Sequence, residues 1–99
     1  MRYFIIAAEG LTKDAERKLI DLFREHKLGW WHHVRNVWLI TSQNELVTTE
    51  YLRNKVAELR PSGNPLLVME VSGVSAWNGM KPTNKPDMFA WLRKAWPKG

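Results

Sequence analysis

Two adjacent histidines, His32 and His33, stand in an aromatic stretch, and imidazole can ligate zinc, move protons or meet a phosphate. Neighbouring residues of a strand point to opposite faces, so this pair does not converge easily on one metal. No cysteine and no second histidine cluster completes a tetrahedral site. One imidazole is expected under the helices or at an interface; the other is expected to hydrogen-bond or to meet a ligand phosphate. The six tryptophans carry a stronger suggestion. Trp77, Trp91 and Trp96 lie beside Lys81, Lys85, Arg93 and Lys94 in the sequence. An indole next to a cation can stack on a base while the cation neutralises its phosphate. Together with His33 and Arg35 these residues form the candidate ligand-binding set. The plainer role of Trp91 and Trp96 is to anchor a last helix, while Trp31 and Trp38 read as core or interface residues. The chain contains no serine, histidine and acid arrangement, no phosphate-cradling glycine loop and no nucleotide fingerprint.

Ninety-nine residues suit one small domain that buries roughly 60–70% of its unfolded surface. The lack of cysteine excludes a disulfide framework and a thiol nucleophile and fits a reducing compartment, so a cytoplasmic location is expected. No apolar run approaches the ~20 residues of a membrane span, and the chain opens directly on a strand pattern rather than a signal peptide. Charge is uneven. Residues 81–99 hold five Lys or Arg against Asp87, a net +4, whereas the first eighty residues carry only +1. Such a basic tail either solubilises or binds anions.

The elements that must position these groups follow from periodicity. Arg2 to Ala8 reads as a buried strand ended by Glu9 and Gly10. Thr12 can cap a helix whose Ala15, Leu19, Leu22, Phe23 and His26 share a face, with Gly29 as its stop. Residues 29–45 read as a hairpin turning at Arg35 and Asn36. Thr48 or Thr49 can cap a second helix carrying Leu52, Val56 and Leu59, closed by Pro61. Residues 62–65 form a turn cluster, residues 66–71 a strand, and a last short helix is expected from Pro86 to about Ala95. The order strand, helix, strand, strand, helix, strand predicts an α+β, ferredoxin-like βαββαβ domain over residues 1–73. Residues 74–99 are then a basic, Trp-containing extension with a short helix.

Both faces of this sheet are apolar. Tyr3, Ile5 and Ala7 oppose Phe4, Ile6 and Ala8, and Leu67, Met69 and Val71 oppose Leu66 and Val68. Two helices cover one face only. The other needs either the C-terminal segment folded back or a second copy of the chain, because monomers rarely expose so large an apolar patch. A homodimer that the C-terminal segment helps to build is the expectation.

Leu28-Gly29-Trp30-Trp31-His32-His33, then Trp38-Leu39-Ile40, then residues 66–73 resemble the SinR-like small proteins. These are relatives of the CRISPR-associated Cas-two endonucleases and of virulence-associated protein D. The resemblance spans about residues 2–78 and implies a ferredoxin-like homodimer with the ends of the two first strands near its axis. In nuclease members an aspartate closes the first strand, and the two copies are proposed to hold a divalent metal. The matching residue is Glu9, whose extra methylene moves the carboxylate by about a bond length, and Ala8 stands where relatives often carry tyrosine.

The first expectation is therefore a non-enzymatic homodimer that binds an anionic nucleotide ligand, either RNA, DNA or a small nucleotide. The alternatives are a Mg²⁺-dependent nuclease with Glu9 as catalytic and metal-binding residue, and a protein-interaction module using a sheet edge or the last helix.

Overall fold

The structure is a computed structural model and describes residues 1–61, 63–72, 77, 79 and 87–96. The expected turn residue Ser62, Pro86 and the cations Lys81, Lys85 and Lys98 lie outside the described residues; the last helix, expected from Pro86, begins only at Ala90, after a turn at Met88 and Phe89. The elements are β1 (Arg2–Ala8), α1 (Lys13–Glu25), β2 (Gly29–Val34), β3 (Val37–Ser42), α2 (Thr49–Leu59), β4 (Leu66–Val71) and α3 (Ala90–Ala95). The four strands form one antiparallel sheet in the order β2-β3-β1-β4. The domain is thus α+β, in an arrangement compatible with a small ferredoxin-like fold.

Local chemistry explains the helix boundaries. Thr12 caps α1 through its hydroxyl, which accepts from Ala15 N at 3.1 Å, and Asp14 and Glu16 occupy the first turn. Thr48 caps α2 in the same way, accepting from Tyr51 N at 3.0 Å. The stop of α1 differs from expectation. Lys27, not Gly29, takes the left-handed conformation, at φ 58°. Lys27 N donates to Arg24 O and Leu28 N to Phe23 O, the paired bonds of a Schellman ending. Gly29 opens β2 instead, and close packing accounts for it. A Cβ there would lie 2.4 Å from Thr41 Oγ1 and 3.3 Å from the Trp91 ring. Gly10 ends β1 at φ 73°, where a Cβ would meet the Asn64 amide that donates to Glu9 O.

The sheet separates two apolar clusters. On the helix face Phe4, Ile6, Trp38 and Ile40 pack against Ala15, Leu19 and Phe23 of α1 and Leu52 and Val56 of α2. On the other face Trp31, Leu92 and Trp96 are buried among Tyr3, Ile5, Leu39, Val71, Met88, Phe89 and Trp91. The chain's own C-terminal segment therefore folds back over the second face. The cover is partial: Leu67 and Met69 of β4 remain 57% and 50% exposed.

Candidate ligand-binding face

β2 carries the aromatic side chains to both faces, and a register shift between Trp31 and Val34 divides them. His32 turns to the helix face. Its ring lies flat on Trp38, 3.5 Å between centroids at 1°, with Nδ1 2.9 Å from Val37 O and Nε2 2.8 Å from Glu16 Oε2. Both partners are acceptors, so a ring protonated on both nitrogens donates to each. His33 goes to the other side, 5.3 Å from the Trp31 ring. The two imidazoles sit on opposite faces of the sheet. Among the described residues no group of three or more His, Cys, Asp or Glu could hold a metal ion.

The second face holds a file of rings. Trp31 stacks on Phe89 at 6.2 Å and 18°, and Phe89 meets Trp77 at 5.8 Å. The file thus runs His33, Trp31, Phe89, Trp77. Its middle is fixed: the Trp31 indole N–H donates to Met88 O at 2.6 Å, and Phe89 N donates to Asp87 Oδ1 at 2.9 Å. Its ends are open, with His33 exposed and Trp77 37% exposed. Arg35, at the tip of the hairpin, is exposed close to the His33 end in sequence. Lys94 is also exposed and takes part in no ion pair among the described residues. Arg93 is paired with Asp87.

Trp91 and Trp96 belong to the seat of α3. Trp96 is 7% exposed and meets the Tyr3 ring edge-on at 5.4 Å. Trp91 is half-buried over Gly29 and 6.5 Å from Trp96. Glu9 lies elsewhere, exposed at the far end of β1. It borders a shallow groove of about 290 Å³ shared with Asn36, Val37, Pro65 and Leu67. Tyr3, at the start of β1, marks the α3 end of the sheet, while Asn36 O accepts from Ala8 N at the Glu9 end. The structure therefore brings His33, Trp31 and Trp77 together and sets Glu9 apart from Trp91 and Trp96. Phe89, the centre of the file, was not singled out from the sequence. Met88, Leu92 and Trp96 recur at helical spacing, a signal that α3 has a packed face and that its flanking ring also meets the sheet.

Compared with known proteins, the chain matches no family model, no curated relative and no solved structure. Nor is any helix among the described residues long and apolar enough to cross a membrane.

Proposed function

We propose that this protein is a non-catalytic, ferredoxin-like homodimer that holds an anionic nucleotide ligand against the aromatic side of its second sheet face. The observation that carries this reading is the file His33, Trp31, Phe89, Trp77, anchored in its middle and open at both ends. A base stacks on the open face of Trp77 or beside His33, and Arg35 or Lys94 draws the phosphate. Kinship with the SinR-like proteins, suggested by the Trp-Trp-His-His string, belongs to the same reading. The homodimer is supported by the uncovered Leu67 and Met69.

The test is tryptophan fluorescence titrated with mononucleotides and short single-stranded oligonucleotides at two ionic strengths. Quenching that weakens with salt is expected. Trp77→Ala should weaken binding by roughly 5- to 150-fold, the equivalent of about 1–3 kcal/mol for one stacked base. No salt-sensitive change with any of these probes overturns the reading.

A further inference from the structure

β4 is an edge of the sheet, and its hydrogen-bonding pattern shows which groups face outward. Glu9 N donates to Pro65 O, so the odd-numbered residues of β4, opposite Ala7, Ile5 and Tyr3, turn their backbone toward β1. The N–H and C=O groups of Leu66, Val68 and Glu70 point away from the sheet and have no backbone partner among the described residues. Among the described residues the strand has none of the usual guards. Its register with β1 is continuous, it holds no proline or lysine, and its one charge, Glu70, is clamped by Arg2 at 3.0 and 3.1 Å. Beside it runs a groove of about 410 Å³, walled by Thr49, Glu50 and Arg53 of α2 and floored by Leu66, Leu67 and Val68.

We propose that two copies of the chain join edge to edge through β4, antiparallel about a two-fold axis at Val68, to make one continuous sheet. This names the geometry of the homodimer in the reading above and rests on that homodimer, not on its ligand. The strand is complementary to itself in this register. Val68 pairs with the partner's Val68, Leu66 with the partner's Glu70, and the outward backbone groups are satisfied in hydrogen-bonded pairs. On the second face Leu67 stands opposite the partner's Met69, so the two half-exposed apolar side chains of each copy cover each other. Over the helix face the axis brings the two groove walls together. Glu50 and Arg53, one helical turn apart on α2, border this seam in each copy.

The absence of cysteine makes the register directly testable. Residues directly opposite in such a non-hydrogen-bonded pair have Cα atoms about 4.5 Å apart, within disulfide range. The same residue in the two copies, offset along the strand, is about 8 Å away and out of range. Mixed Leu67→Cys and Met69→Cys proteins should therefore cross-link under mild oxidant, whereas neither variant should cross-link alone. Sedimentation of the unmodified chain should show a dimer at micromolar concentration. Met69→Lys, folded by circular dichroism, should raise the dissociation constant by about tenfold or more. A monomer at every concentration overturns the proposal and leaves the edge to a foreign strand. A dimer that ignores Met69→Lys and fails to cross-link in the mixture overturns it in favour of packing by sheet faces. Nucleotide titration of the same samples separates the two readings: a dimer without salt-sensitive quenching sinks only the ligand.

Discussion

The two edges of this sheet are built to opposite specifications. At β2 the ladder is broken by an irregularity between Trp31 and Val34, His32 is tied to Glu16 of α1, and α3 lies over Gly29 and Trp31. At β4 the register is regular, the side chains are almost all apolar, and Leu67 and Met69 face solvent. Bulges, polar residues and covering elements prevent strand addition, and a flat apolar edge invites it. The chain spends its aromatic side chains closing one edge and leaves the other available. In the reading proposed above, β2 backs the ligand face and β4 is the joint between copies.

The largest effect should come from removing the ring that holds the closed side. Trp31 is buried, hydrogen-bonded to Met88 O, and stacked on Phe89. Trp31→Ala should cost about 3–5 kcal/mol in urea unfolding. Hydrogen exchange should show faster exchange in α3 before the rest of the chain, because α3 loses its main seat. The matching truncation on the open side, Met69→Ala, should cost well under that in a dilute monomer, since half of that side chain already lies in water. Equal costs at the two positions would erase the contrast between the edges.

Much of this architecture was legible in the sequence, for reasons that differ by element. The caps at Thr12 and Thr48 and the two-sided apolar strands are local signals, and each appears where its residues predict. The need for cover on the second face was also legible, because Tyr3, Ile5, Leu67 and Met69 alternate with residues that the helices already bury. How the cover is shared was not. Trp96 reaching Tyr3 and Trp31 reaching Met88 join residues far apart in the chain, and spacing carries no record of such contacts. The role of Gly29 was hidden for the same reason: its requirement comes from Thr41 and Trp91, not from the helix before it. Glu9 could be placed at the end of a strand, but its distance from the tryptophans depended on where α3 came to rest.

A gain rather than a loss is expected at the approach to β2. Lys27 holds a left-handed conformation that costs an L residue about 1–2 kcal/mol relative to its ordinary regions. Its backbone N–H already satisfies Arg24 O, so glycine keeps the Schellman bonds and removes the strain. Lys27→Gly should stabilise the fold by about 1 kcal/mol, less the extra freedom that glycine gives the unfolded chain. Thermal unfolding measures this directly. The substitution should leave the β4 joint untouched, because the edge strand lies on the other side of β1 and β3.

The smallest effect concerns the one charge on the open edge. The Arg2 guanidinium donates to both oxygens of Glu70, and this hydrogen bonding holds the carboxyl below the usual carboxylate range. A carboxyl whose pKa is lower folded than unfolded adds stability above the unfolded value, near pH 4.3, and loses it as the pH falls through the folded value. Both side chains are partly exposed, so solvent screening keeps the contribution small. Carboxyl NMR should find Glu70 titrating below the usual carboxylate range, and Arg2→Met should move it back up. In that variant the carboxylate is released beside the partner strand, where an unpaired charge acts as a guard. Dimerisation should therefore weaken at neutral pH and recover as Glu70 is protonated. If Arg2→Met shifts the titration and leaves dimerisation unchanged, Glu70 lies away from the joint and the Val68 register is wrong.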